Sequence, residues 1–296
     1  MVDMSLPGVN DSEGERIPDS LPSVVDAHVH LFPDAIFGAI RQWFDQYAWP
    51  IRYRMGSEDL VRFLLSREID HVVGLHYAHK PGIARRLNEH MAGLAQKFPR
   101  LTGTATVFPG EDETQAILED AFSLGLTGVK LHAHVQGFRM DGEAMFEICE
   151  ICDAHRQPLI MHVGREPRNP HFAYPVDPYL ICRADLLEEI LRSFPGLKVC
   201  VPHLGADEFT AYRTLLEKYD NLWVDTAMML ADYLPVDDPP RLEEFRPERV
   251  MYGTDFPQIP YAWDRELKRI GRLGLSEDHL ALILKKNALE FFSISG

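Results

Sequence analysis

Short apolar runs alternate with longer amphipathic stretches from about residue 24 to the end of the sequence. Eight of these runs are β-branched, nearly continuous in apolarity and bounded by Gly or Pro: 24–30, 71–78, 101–108, 128–134, 158–164, 198–205, 222–227 and 250–255. Runs of that kind suit parallel strands, whose two faces are both covered. Helical periodicity recurs between them. Residues 58–68 place Leu60, Val61, Leu64 and Leu65 on one face, and 184–194 repeat Leu187, Ile190, Leu191 and Phe194 at spacings of three and four. The stretches 112–124, 143–155 and 207–219 behave alike, each with an acidic residue near its start, where the helix dipole favours it. Residues 1–22 are rich in Pro, Gly and acids without periodicity, and predict a disordered leader ahead of one domain over 23–296.

Strands alternating with helices predict an α/β fold with a parallel sheet, either open or closed on itself. The polar residues choose between the two. Side chains alternate along a strand, so His28 and His30 share a face of the first run, and Lys130, His132 and His134 share a face of the fourth. His162 and His203 lie near the ends of the fifth and sixth runs, Asp225 lies within the seventh, and Asp255 closes the eighth. These are C-terminal strand ends, where barrel enzymes place their chemistry. An open sheet would hold the first and eighth strands far apart, whereas closure sets His28 beside Asp255. The pattern therefore predicts a (β/α)8 TIM barrel.

Apolar residues at 46% and charged residues at 25% exclude global disorder. No apolar run approaches the ~20 residues that cross a bilayer, and the N-terminus lacks the pattern of a signal peptide. A net charge of −15 disfavours non-specific nucleic-acid binding. Four cysteines make no disulfide framework in a chain of 296 residues, so a reduced, cytoplasmic setting is expected. The partner to expect is a small-molecule substrate, with self-association left open.

Thirteen histidines are the compositional oddity. His28, His30 and His162 with Asp255 form a donor set for a borderline divalent ion, Zn2+ first, with Mn2+, Fe2+, Co2+ or Ni2+ also accommodated. Such an ion, left one open position, lowers the pKa of water toward about 7. His203 is a candidate to move protons at neutral pH. Arg165 and Arg168 after the fifth run, and Arg139 after the fourth, are candidates to hold a substrate carboxylate, Arg165 foremost. The aromatic-rich excursion from Phe32 to Tyr53 reads as core and cap with a partial lid. Cys149, Cys152 and His155 share one helix face and read as packing. His71, His76, His79, His90, His155, His171 and His279 read as structural.

The segments DAHVHLF at 26–32, GVKLHAHVQGF at 128–138, IMHVGREP at 160–167, VPHLGADE at 201–208 and YGTDFP at 252–257 resemble the amidohydrolase superfamily. Within it they look most like the branch of aminocarboxymuconate semialdehyde decarboxylase, aromatic-acid decarboxylases and metal-dependent hydrolases. ILKKNALEFF at 283–292 resembles that branch's terminal helix, so the likeness spans 24–292. It implies one divalent metal on His28, His30, His162 and Asp255, with His203 and Asp255 handling protons. Two-metal members of the superfamily carry a carboxylated lysine on the fourth strand. Lys130 stands there, so Lys130 and His132 are candidates for a second metal or for the pocket. The implied activity is metal-dependent hydrolysis of a carbonyl, lactone or amide in a small substrate that can carry a carboxylate. The alternative is non-oxidative decarboxylation of an aromatic or unsaturated acid.

Overall fold

A computed structural model describes residues 8–164, 177–234 and 240–295. Eight short strands are present: β1 (Val25–His30), β2 (His71–Leu75), β3 (Leu101–Gly103), β4 (Val129–His132), β5 (Leu159–His162), β6 (Val199–Val201), β7 (Leu222–Asp225) and β8 (Val250–Met251). Parallel ladders join β1-β2-β3 and β4-β5-β6-β7-β8. Single bridges close the two remaining gaps. Ala105 bridges Val129, with Lys130 N donating to Ala105 O at 2.8 Å. Val29 bridges Phe256, with His30 N on Phe256 O at 2.7 Å and Asp255 N on His28 O at 3.0 Å. The ring is complete, and the fold is the (β/α)8 barrel that the polar residues predict.

The helices are α1 (Asp34–Tyr47), α2 (Ser57–Ser66), α3 (Ala84–Lys97), α4 (Thr114–Ser123), α5 (Ala133–Gln136), α6 (Glu143–Ala154), α7 (Ala184–Ser193), α8 (Phe209–Lys218), α9 (Arg265–Ile270), α10 (Glu277–Ala281) and α11 (Asn287–Phe292). A π-turn over Leu282–Lys286 links the last two. The five helical stretches named from periodicity appear as α2, α4, α6, α7 and α8, with ends shifted by one or two residues. The aromatic excursion contains the 14-residue α1. Its aromatic neighbour Trp49 then donates Nε1 to Gln258 O at 2.8 Å, which pins this excursion across the C-terminal end of β8.

Every strand except β1 stops short of the end of the apolar run that announces it. The fourth run ends as a ladder at His132 and turns at once into α5, so His134 is not a strand residue. The sixth stops at Val201, and His203–Gly205 form a tight turn. Pairing therefore ceases one turn below the mouth, where the backbone is free to aim polar side chains inward.

The barrel interior has an apolar floor. Val25 and Ala27 of β1, Val73 and Leu75 of β2, Ile160, Cys200, Trp223 and Met251 pack there, and Ala288, Phe291 and Phe292 of α11 plug it from below. A larger apolar layer lies between strands and helices. All four cysteines are buried and free. Cys149 and Cys152 belong to that outer layer, and His155 leaves it to face Glu119.

The expectation of a disordered leader needs correcting over its described part, 8–22. Gly14 N donates to Asp264 Oδ2 at 2.8 Å and its carbonyl accepts Trp263 Nε1 at 3.1 Å. Arg52 reaches Asp11 O at 2.6 Å, Tyr53 Oη donates to Glu13 Oε2 at 2.5 Å, and Ile17 is buried. The segment lacks periodicity because it is a strap, held by scattered polar contacts and one apolar anchor. Residues 1–7 lie outside the described residues. Among the described residues no helix is long and apolar enough to cross a membrane.

Candidate metal centre

The site begins with an irregularity in β1. Val25 and Asp26 pair with His71 and Val72, but Val29 and His30 pair with Gly74 and Leu75, so Ala27 and His28 together oppose Val73. Strict alternation would put Val25 and Ala27 on one face and His28 and His30 on the other. The bulge changes the phase, so that the two floor residues and then the two histidines all enter the barrel. Asp26 locks this shape by accepting His28 N at 3.1 Å and, from across the seam, Thr254 N at 3.1 Å and Oγ1 at 2.6 Å. Burial pushes its carboxyl up to about 7. Close approach helps too: a Cβ on Gly253 would sit 2.6 Å from that of His28.

His28, His30 and Asp255 converge, each buried, with their ligand atoms within 4.8 Å of one another. His28 Nδ1 donates to Asp225 Oδ2 at 2.7 Å, which leaves a lone pair on Nε2. That Nε2 lies 3.2 Å from His30 Nε2 and 3.2 Å from Asp255 Oδ1, and the last two are 3.0 Å apart. Acceptors facing each other in a buried space repel unless a proton or cation lies between them. Ligand atoms around a tetrahedral ion with bonds of ~2.0–2.1 Å stand roughly 3.3 Å apart, close to this spacing. The donor set fits a divalent ion. Burial raises the pKa of Asp255, but hydrogen bonds and charge from His28 and His30 outweigh it and hold the carboxyl well below its ordinary range. Its backbone takes a left-handed φ of 66°, a conformation tolerated where function requires it.

His203 stands on the other side. Its φ is also left-handed, 60°, and three contacts hold it there. Its backbone N donates to Asp225 Oδ1 at 3.1 Å, its Nδ1 donates to Ala227 O at 2.9 Å, and its Nε2 lies 3.0 Å from His162 Nδ1. With Nδ1 committed as donor, Nε2 of His203 accepts from His162, whose own Nε2 is buried with no hydrogen-bond partner. His162 also stacks on His132, ring centroids 3.9 Å apart. Burial pushes His203 below its ordinary value, and His162 and His132 well below.

The structure thus brings together His28, His30 and Asp255 as one group and His203, His162 and His132 as a second. The two are adjacent, with the His28 and His203 rings 5.4 Å apart. His162, expected as the fourth ligand, faces His203 rather than the triad. Lys130 enters the barrel from the floor layer, fully buried, and its Nζ has no hydrogen-bond partner. Burial pushes its amine down to about 8, against the pull of Asp225 and Asp255. Arg139 is paired with Asp141 and Leu180 O, and Arg165 and Arg168 lie outside the described residues. The contribution missed from the sequence is that of Asp225. One buried carboxylate orients His28 through Oδ2, and His203 through Oδ1, which also accepts Ala227 N at 3.1 Å. Its isolated acid in an apolar run was the available signal.

The sequence model of the family described as Amidohydrolase matches residues 25–294. No curated protein sequence matches the chain. Among solved structures, 5-carboxyvanillate decarboxylase from Novosphingobium aromaticivorans, complexed with manganese and 4-hydroxy-3-methoxy-5-nitrobenzoic acid, aligns with a TM-score of 0.68 at 17% identity, covering 96% of this chain and 100% of that one. A protein from Pseudomonas putida assigned as a 2-pyrone-4,6-dicarboxylic acid hydrolase aligns at 0.61 and 18% identity, covering 92% and 97%. 5-Carboxyvanillate decarboxylase LigW from Sphingomonas paucimobilis aligns at 0.58 and 16%, covering 92% and 99%. At such identities the likeness is one of fold.

Proposed function

Because this chain belongs to the amidohydrolase family, we propose that it is a metal-dependent hydrolase acting on a carbonyl, lactone or amide of a small substrate. The observation that carries the reading is the buried convergence of His28, His30 and Asp255 beside His203, whose ring lies 5.4 Å from that of His28 and whose Nε2 meets His162. His28, His30 and Asp255 would hold one divalent ion, Zn2+ or Mn2+ foremost, and the unpartnered Nε2 of His162 makes that residue the candidate fourth ligand. A bound ion supplies Lewis acidity and brings the pKa of water toward about 7.

The protein's own groups do the rest. Asp225 keeps Nδ1 of His28 protonated, so that Nε2 stays a donor of electrons. The Asp255 carboxylate is ionised and takes a proton from attacking water. His203, held through Nδ1 and its backbone with a lone pair on Nε2, would take that proton from Asp255 and deliver it to the leaving group. A second reading follows from the decarboxylases among the similar folds. In that reading His203, entering the reaction already protonated at Nε2, would deliver its proton to the carbon that loses carbon dioxide.

The test is a panel of lactones, amides and aromatic acids offered to metal-depleted protein and to protein reloaded with Zn2+ or Mn2+. Ring opening or amide cleavage restored by metal is the expected result, and carbon dioxide release in its place would establish the second reading. His203→Asn should cut turnover by about 10²–10⁴-fold with metal content unchanged. Equal rates with and without bound metal would refute the proposal.

A further inference from the structure

The floor of the barrel contains a lysine whose amine has no hydrogen-bond partner among the described residues. Along the ladder Lys130 pairs with Ile160, Ile160 with Cys200 and Cys200 with Trp223, so Lys130 springs from a layer whose other members are apolar or a free thiol. The next layer up on β4 and β5 is His132 with His162. Lys130 is fully buried and its Nζ makes no hydrogen bond. Lys130 thus stands one layer beneath His132 and His162, near enough for its charge to act on His28, His30 and Asp225 as well. Burying an ammonium with no partner is costly, and proteins seldom leave one so unless a ligand completes it. The two carboxylates near it are already spent: Asp225 on His28, His203 and Ala227, and Asp255 on His28 and His30.

We propose that Lys130 is the anion anchor of this site, its ammonium holding a carboxylate of the substrate while the susceptible carbon lies over His28, His30 and Asp255. The substrate class is then small organic acids rather than neutral esters or amides. This rests on reading that cluster as the reaction centre. Charge supports it: with a divalent ion in place, Lys130 and the ion outweigh Asp225 and Asp255, so an anion meets a locally positive site inside an acidic protein. A charge-assisted contact in a dry setting also selects strongly against uncharged analogues.

The test is calorimetric titration of metal-loaded protein with glutarate and benzoate, each against its amide, in the wild type and in Lys130→Met. Methionine keeps an unbranched side chain of similar length and removes the charge. The wild type should bind at least one carboxylate about tenfold or more tighter than its amide. Lys130→Met should lose that preference while keeping its metal content and circular dichroism. Wild-type protein that binds carboxylates no better than amides overturns the proposal, a comparison that needs no variant to fold. So does an unaltered preference in Lys130→Met, or a ¹³C-bicarbonate label on Lys130, which would show the amine carboxylated. The two readings fail separately. Lysine-dependent carboxylate binding without any turnover leaves the anchor and removes the hydrolase, and equal cleavage of a carboxylate-bearing lactone by wild type and Lys130→Met, at equal KM, does the reverse.

Discussion

At the scale of the residue, the site depends on Asp225 as much as on the groups that face the substrate. A histidine binds a cation only if its other nitrogen carries the proton, and the 2.7 Å contact from His28 Nδ1 to Asp225 settles that. Asp225→Asn keeps the shape but turns one oxygen into an amide that cannot accept from both His28 and the backbone of His203 and Ala227. Affinity for Zn2+ should fall by about 10–100-fold, read by competition with a chelator, with unchanged circular dichroism. Equal affinity would remove the role. The neighbouring titratable residues were unevenly legible. His28, His30 and Asp255 declare themselves by alternation and by position at strand ends. Asp225 does not, because a carboxylate in an apolar run looks the same whether it serves a ligand or only a turn. His162 sits where its strand end predicts, yet its partner in this structure is His203, a detail of ring orientation that spacing does not encode.

The element scale shows where reasoning from pattern stops. Alternation places His28 and His30 on one face, and that is correct, but the same rule sends Val25 and Ala27 to the opposite face, and the bulge brings them back. A bulge leaves no mark in apolarity, since Ala27 suits either side. The strand ends were overextended for a related reason: the residues beyond the ladder remain apolar because they still line the barrel or pack beneath helices. The N-terminal strap was misread because polar contacts to Asp264, Trp263, Arg52 and Tyr53 have no period. Deleting residues 1–15 removes Gly14 from Asp264 Oδ2, which keeps Lys268, and leaves the indole N–H of Trp263 without its acceptor. A lost hydrogen bond of this kind costs about 0.5–1.5 kcal/mol, so the urea midpoint should drop. An unchanged midpoint would mean that the strap is passive.

For the whole molecule, acid should be a destabilising condition in a direction that one buried histidine makes explicit. His76 is sealed between strands and α3, with Nε2 on Asn88 Oδ1 at 3.1 Å, and burial lowers it from 6.5 to about 4. The unfolded chain takes up that proton near 6.5 and the folded chain only near 4. Stability contributed by neutral His76 is therefore complete above pH ~6.5 and is lost as the pH falls toward ~4, to a limit of about 3 kcal/mol. In His76→Gln, which keeps a hydrogen-bonding group but does not titrate there, the fall in unfolding free energy between pH 7 and pH 5 should be smaller, measured with chelator present. A profile as steep as that of the wild type would assign the acid sensitivity elsewhere.

The closing seam between β8 and β1 also sets an order of events during synthesis. Asp26 and Thr254, which stitch that seam, are 228 residues apart. A ribosome adding about 5–20 residues per second takes roughly ten to fifty seconds to cover that distance. Through that interval the two histidines of the first strand are without the Asp255 carboxylate that meets them in the folded protein. A nascent chain would thus offer an ion only two imidazoles, and the three-residue group comes together only once the last strand is made. On the reading of that group as a metal centre, the ion would be chosen after the last strand arrives, not when the N-terminal half first emerges.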